Sequence, residues 1–264
     1  MVRTQRKQMS ERTQDAVMAT KSKVPELTLV FWIIKILATT LGETGGDAVS
    51  MSMNLGYLLS TVIFAAIFVG AVVIQIRAPK FHPVIYWMTI VAATTVGTTL
   101  ADFGTRSIGV GYTGGSAILL VLLLTSLVVW KRTMGSVSVR DVCSPRSEFF
   151  YWLTITFSQT LGTALGDWTA DTADLGYLGA AAIFSGLLLL VVAGYFLTRI
   201  SRITLFWAAF VLTRPLGAVV GDFLDKPVAQ GGLALSRYTA TAMLGVLIVA
   251  MVMLLPHRAA RRNH

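Results

Sequence analysis

Charged residues are scarce in this chain. Of its 264 residues, 13% are charged and 55% are hydrophobic, whereas a soluble domain typically carries about 25% charged residues. Apolar stretches of about 20 residues, the length that a transmembrane helix needs, recur along nearly the whole chain after residue 25. No segment remains that could form a sizeable soluble domain, so the composition predicts an integral membrane protein.

Cysteine and histidine are also rare. The single cysteine, Cys143, excludes a disulfide framework, and metal-binding CxxC spacing is absent. The three histidines, His82, His257 and His264, lie outside the apolar stretches, which argues against a histidine-based zinc site inside the membrane. The net charge of +9 needs no nucleic-acid partner, because the placement of the basic residues has a simpler explanation.

Hydropathy predicts an all-α polytopic membrane protein with about eight transmembrane helices. The predicted spans are 27–46, 56–76, 83–103, 112–131, 149–169, 177–198, 203–224 and 235–255. Most lysines and arginines fall in the termini and in alternate loops, whereas the loops on the other side hold Arg106, Lys226 and Arg237. The positive-inside rule therefore predicts that both termini are cytoplasmic.

The chain divides into four segments. Residues 1–24 are polar and basic without the apolar core of a signal peptide, and they predict a disordered cytoplasmic tail. Residues 25–140 and 141–257 form two membrane halves, and residues 258–264 form a basic C-terminal tail. The lipid bilayer is the predicted partner, and the sequence sets no oligomeric state.

Four tryptophans mark four copies of one pattern. They stand near the start of the odd-numbered spans, where the membrane interface favours tryptophan, and are Trp32, Trp87, Trp152 and Trp207. Fifteen residues after each tryptophan comes an aspartate: Asp47, Asp102, Asp167 and Asp222. The tryptophan spacings of 55, 65 and 55 residues pair the copies into two halves. Each copy holds two spans, so the copies are parallel repeats related by an axis along the membrane normal.

The repeated aspartates belong to four characteristic motifs. These are LGETGGD at 41–47, VGTTLAD at 96–102, LGTALGDWTAD at 161–171 and RPLGAVVGDFLD at 214–225. The pattern resembles a family of bacterial integral membrane proteins with four tandem two-helix repeats and a characteristic tryptophan, known as a repeat of unknown function. The resemblance covers about residues 24–257. It implies the topology and an inner-membrane location, and it brings no established chemistry.

The repeated aspartates are candidate ion ligands. Fifteen helical residues span about 22 Å of a hydrocarbon core that is about 30 Å thick, so the aspartates lie deep and toward the outer face. Ionisable residues at such depth mark function by default. Glycines ten residues after each tryptophan pack helices closely: Gly42, Gly97, Gly162 and Gly217. We therefore expect the four aspartates to converge, and clustered carboxylates need a counter-charge.

A divalent hard cation such as Mn²⁺ is the simplest counter-charge for Asp47, Asp102, Asp167, Asp222 and the neighbouring Glu43. No other cofactor is expected. The copies differ at several positions, which breaks the fourfold symmetry. Arg214 is expected to pair with Glu43, and Lys35 either joins this network or extends to the cytoplasmic interface. Asp171 is a further candidate for ion pairing or coupling.

Broken symmetry favours a proton-coupled cation transporter over a symmetric pore, and a non-enzymatic role. One alternative is a structural or accessory membrane protein whose aspartates cap helices and form turns. A second is an intramembrane enzyme, against which the absence of HExxH and GxSxG motifs argues. A third is a transporter of organic cations.

Overall fold

The computed structural model describes residues 21–261 and confirms the all-α polytopic fold. These residues contain eight long α-helices: α1 (Leu29–Asp47), α2 (Gly56–Arg77), α3 (Pro83–Asp102), α4 (Gly111–Met134), α5 (Pro145–Asp167), α6 (Gly176–Leu197), α7 (Arg202–Asp225) and α8 (Arg237–Leu254). All except α5 are apolar enough to cross a membrane. Helix α5 is more polar because it carries Ser158 and Gln159, both of which are buried.

The four odd-numbered helices form a closed ring. Helix α1 packs on α3, α3 on α5, α5 on α7, and α7 returns to α1. Each even-numbered helix packs outside this ring against the first helix of the next repeat, so that α8 closes the circle by packing on α1. In the spans of α1, α3 and α7 61–72% of the residues are buried, against 6–22% in the even-numbered spans. The even-numbered helices therefore face the lipid.

Glycines set the spacing of the ring. Each glycine ten residues after a tryptophan lies against the next helix, in the pairs Gly42–Thr94, Gly97–Gln159, Gly162–Arg214 and Gly217–Thr39. A Cβ atom at Gly42 would lie 2.5 Å from the Thr94 Cγ2 atom, and one at Gly97 would lie 2.8 Å from the Gln159 Cβ atom. Close approach of these helices thus requires glycine, as the sequence predicted.

The odd-numbered helices run from a tryptophan end to an aspartate end of the bundle. After the aspartate, three copies add one π-helical turn, at Ala48–Ser52, Phe103–Ser107 and Trp168–Thr172. The next helix then begins at a glycine with positive φ, +72° at Gly56 and +71° at Gly111. This left-handed conformation explains why glycine recurs 24 residues after each tryptophan.

At the tryptophan end of the bundle, part of the predicted N-terminal tail is ordered. Strand β1 (Lys21–Pro25) pairs antiparallel with strand β2 (Ala259–Arg261), so the last residues of the predicted disordered tail are ordered. Its other residues, 1–20, lie outside the described part of the chain, as do 262–264 of the C-terminal tail. Strands this short show no alternation of apolar and polar residues from which they could be predicted. The Ser22 hydroxyl donates a hydrogen bond of 2.6 Å to the Val139 carbonyl oxygen, which anchors β1.

The tryptophans form an internal layer instead of a lipid-facing belt. Trp87 and Trp152 are only 2% and 3% exposed. The residue before each tryptophan is aromatic as well, and the Tyr86 and Tyr151 hydroxyls lie 2.7 Å apart. Ring-to-ring contacts join these side chains, because the ring of helices brings all four copies together. The rings of the buried tryptophans therefore contact protein instead of lipid, near the helix starts where the sequence placed them.

Candidate functional site

Three of the four repeated aspartates converge at the aspartate end of the ring, whereas Asp102 contributes no oxygen to the close groups there. Carboxylate oxygens of Glu43, Asp167 and Asp222 lie within 4.8 Å of one another, and those of Asp47, Asp222 and Asp225 form a second such group. Asp222 belongs to both groups, so residues from the first, third and fourth repeats form one cluster. All five side chains are buried. Oxygen donors at this spacing suit a hard cation.

Two basic side chains bridge neighbouring aspartates. The Lys226 Nζ atom lies 2.8 Å from the Asp47 Oδ2 atom and 3.1 Å from the Asp222 Oδ1 atom. The Arg106 Nε atom lies 3.1 Å from the Asp102 Oδ1 atom, and the Arg106 Nη2 atom lies 3.0 Å from the Asp167 Oδ2 atom. Each of the four aspartates therefore shares a cation with an aspartate of the adjacent ring helix.

The bridging roles of Arg106 and Lys226 were not predicted from the sequence, which places both residues in loops. The sequence does hold one indication of these contacts: Arg106 follows Asp102 by four residues, and Lys226 follows Asp222 by four. That spacing places the two side chains on one helix face. The contacts to Asp47 and Asp167 cross between repeats, and no local pattern encodes them.

The outer rim of the cluster holds further polar contacts. The Arg237 Nε atom lies 3.3 Å from the Asp225 Oδ2 atom and 3.8 Å from the Asp47 Oδ2 atom.

Burial alone would lower the pKa of the Lys226 ammonium, but the negative charges of Asp222, Asp47 and Asp225 together raise this pKa above its ordinary value. Lys226 therefore remains positively charged.

Arg214 fills the ring axis one helical turn below the aspartates. Its side chain is fully buried, and its Nη2 atom donates 2.9 Å to the Glu43 Oε2 atom. The same nitrogen donates to the Thr98 and Thr163 hydroxyls. Glu43, Thr98 and Thr163 stand at the same position of three repeats, eleven residues after the tryptophan. The predicted Arg214–Glu43 pair is confirmed, and one guanidinium binds three copies at once.

Below Arg214 lies a layer of polar atoms without hydrogen bonds. Within the described residues, the Gln159 amide, the Thr94 hydroxyl and the Lys35 ammonium are buried and form none. Lys35 is fully buried, with its Nζ atom 4.3 Å from the centroid of the Phe210 ring. The expectation that Lys35 extends to the cytoplasmic interface is wrong. Such desolvated groups are costly without a partner.

The family comparison matches this geometry repeat by repeat. The family model described as Repeat of Unknown Function (DUF347) matches residues 30–81, 85–136, 150–201 and 205–260. The chain belongs to this family. Each match holds one odd-numbered helix with its aspartate and the following outer helix. No curated protein and no solved structure matches the chain.

Three of the four repeated aspartates do not cap the helical turn that follows them, and Asp222 lies within α7. The side chains of Asp47, Asp102 and Asp167 form no capping hydrogen bond at the π-helical turns that follow them. Asp171 was expected to take part in ion pairing, but its side chain is exposed. Within the described part of the chain, residues 21–261, no ion pair includes it.

Basic side chains balance much of the charge of the cluster. The buried carboxylates belong to Asp47, Asp102, Asp167, Asp222, Asp225 and Glu43. The basic side chains paired with them are Arg106, Lys226, Arg237 and Arg214. The protein's own bases thus supply most of the counter-charge. A cation that binds here must exchange with a base or with protons, since additional positive charge at this depth is costly.

Proposed function

We propose that the chain is a membrane transporter of a small hard cation, with a divalent ion such as Mn²⁺ favoured. The observation that carries this proposal is the presence of two groups of buried carboxylates that share Asp222. Within each group, the oxygens of three acids lie within 4.8 Å of one another. Carboxylate oxygens are the donors that hard divalent cations prefer. Ionisable residues buried in a membrane bundle typically mark ion pathways.

The bound ion takes the position of Lys226 in this proposal. The Lys226 ammonium touches both Asp47 and Asp222, as a bridging metal ion would. Lys226 follows the end of α7 and belongs to the connection to α8, so its side chain can leave without a change in the ring helices. Exchange of Lys226 for the ion keeps the buried charge nearly balanced.

Proton coupling follows from the same charge balance. Metal-ligating carboxylates must be deprotonated, and protonation of Asp167 or Asp222 would release the ion. The Arg214 guanidinium stands on the axis below the ligands, where a fixed positive charge opposes free passage of cations. This arrangement favours a transporter with alternating states over an open pore.

We further propose that the aspartate end faces outward and that both termini are cytoplasmic, in a bacterial inner membrane. Most basic residues of the loops belong to the tryptophan end, including Arg77, Lys131, Arg199 and Arg258, which fits the positive-inside rule. In this orientation the ion enters the acidic cluster from outside or leaves from it.

Uptake into proteoliposomes tests the proposal. We expect wild-type protein to move Mn²⁺ across the bilayer, with Mg²⁺ and Ca²⁺ as competitors, and Asp222→Asn to abolish this movement. Asp171→Asn is the matched control, because Asp171 is exposed and outside the cluster. Movement of no divalent ion by folded wild-type protein, or equal movement by Asp222→Asn, would overturn the proposal.

One observation favours a structural or accessory role as the second candidate. Each repeated aspartate already has a basic partner within 3.1 Å, so the cluster could serve only to join the repeats. Asp222→Asn would then lower the thermal stability, and divalent cations would leave the melting temperature of wild-type protein unchanged.

A further inference from the structure

One lateral groove opens between α1, α6 and α7 near the tryptophan end. Its volume is about 770 Å³, within the range of roughly 300–1,000 Å³ that is typical of small-ligand sites. Apolar side chains form its walls: Trp32, Ile36, Leu188, Val192 and Phe206. At its mouth lie Glu26, Thr28, Arg140 and Arg202. The groove is remote from the acidic cluster, which lies at the opposite end of the ring.

The pseudo-symmetry of the repeats identifies a position from which the groove can be filled. Phe68 of α2 stands 36 residues after Trp32 and packs edge-on against Trp152, with ring centroids 6.4 Å apart. The equivalent residue of the third repeat is Leu188, 36 residues after Trp152, and it lines the groove together with Trp32. An aromatic ring at Leu188 would therefore occupy part of the groove, as the Phe68 ring occupies the space beside Trp152.

The mouth of the groove is positively charged. The Arg202 guanidinium lies 3.9 Å from the centroid of the Tyr195 ring and donates to the Tyr195 carbonyl oxygen. Within the described part of the chain, residues 21–261, no ion pair includes Arg140 or Arg202. Glu26 is the one acid among the residues that line the groove. Arginine binds phosphate through several donors in one plane. An apolar groove below two such arginines complements an anionic amphiphile.

We infer that this groove binds one anionic phospholipid, with an acyl chain along Trp32 and Leu188 and the phosphate at Arg140 and Arg202. Basic pockets between transmembrane helices on the cytoplasmic side favour such headgroups. The lining also includes Thr213, whose carbonyl oxygen accepts a hydrogen bond from the Thr39 hydroxyl at 3.2 Å. The lipid therefore supports the α7–α1 contact, where the last repeat closes on the first. This inference does not depend on cation transport.

Native mass spectrometry with added lipid tests the inference. We expect wild-type protein in detergent to retain one phosphatidylglycerol molecule in preference to phosphatidylcholine, and phosphatidylglycerol to raise its melting temperature. Leu188→Phe, which places a ring in the groove at the position equivalent to Phe68, should lose both effects. Leu187→Phe is the matched control, because Leu187 lies on the same helix and is 39% exposed.

A second variant separates the headgroup from the groove. Arg140→Gln with Arg202→Gln should weaken phosphatidylglycerol binding by about tenfold or more, since charge-assisted hydrogen bonds are lost, and should abolish the preference over phosphatidylcholine. Equal retention of phosphatidylglycerol by wild type and by Leu188→Phe would overturn the inference. So would a smaller oligomer of Leu188→Phe than of wild type without loss of lipid, because the groove would then be a contact between copies of the chain.

Discussion

The Lys226 ammonium lies 2.8 Å from the Asp47 carboxylate, although the two residues are 179 positions apart. The contact joins the fourth repeat to the first and places a positive charge where oxygens of both repeats converge. A second bridge, from Arg106 to Asp167, joins the second repeat to the third. The basic residues that follow Asp102 and Asp222 are thus parts of the acidic cluster.

Removal of the Lys226 charge should strengthen cation binding. In Lys226→Met, Asp47 and Asp222 lose the shared ammonium, and their uncompensated charge should attract a divalent ion more strongly. We expect the Kd for Mn²⁺, measured by titration calorimetry in detergent, to fall by about tenfold or more. Arg199→Met, at the opposite end of the bundle, should leave the Kd unchanged. An unaltered Kd in Lys226→Met would show that the ion does not take the position of the ammonium.

Mn²⁺ affinity should fall as the pH is lowered. Protons and the ion compete for the same carboxylates, and the ligands bind metal only when deprotonated. The affinity is therefore highest at the alkaline end and declines on acidification, a direction that a Kd series from about pH 8 to about pH 5 would measure. Affinity that stays constant or rises toward acid pH would exclude competition between protons and the ion.

Alanine in place of a ring glycine should destabilise the bundle. A Cβ atom at Gly97 would lie 2.8 Å from the Gln159 Cβ atom, so Gly97→Ala should lower the free energy of unfolding by about 1–3 kcal/mol. Gly70 has no atom of another residue within 4 Å of such a Cβ, and Gly70→Ala should change little. Thermal unfolding in detergent measures the difference. Equal melting temperatures for the two variants would contradict the packing described for the ring.

Arg214 and Glu43 should behave as one energetic unit. Loss of one partner leaves a buried charge unpaired, so Arg214→Met should cost about 3–5 kcal/mol of stability. The double variant Arg214→Met with Glu43→Met removes both charges and should recover much of that loss. A double-mutant cycle on unfolding free energies gives the coupling. Simple additivity of the two single effects would contradict a direct pair.

Hydropathy and repeat spacing were enough to predict the helices, the ring of parallel repeats and the close glycine contacts. The Arg214–Glu43 pair was also predictable, because each residue breaks the repeat pattern at a buried position. The bridge from Lys226 to Asp47 was not, since it depends on how the ring closes. The contacts among the tryptophan rings were not predictable for the same reason, as the hydropathy of a single helix carries no information about its neighbours. Asp171 resembled the cluster residues in sequence, but its side chain is exposed.

Anomalous diffraction from crystals grown with Mn²⁺ would locate the ion most directly. Hard cations lie about 2.0–2.6 Å from their oxygen ligands. We expect one anomalous peak at that distance from oxygens of the cluster formed by Glu43, Asp47, Asp167 and Asp222, with the Lys226 side chain turned away from Asp47. Absence of a peak at saturating Mn²⁺, with Lys226 still bridging Asp47 and Asp222, would contradict the cation site and leave the cluster as a structural ion-pair network.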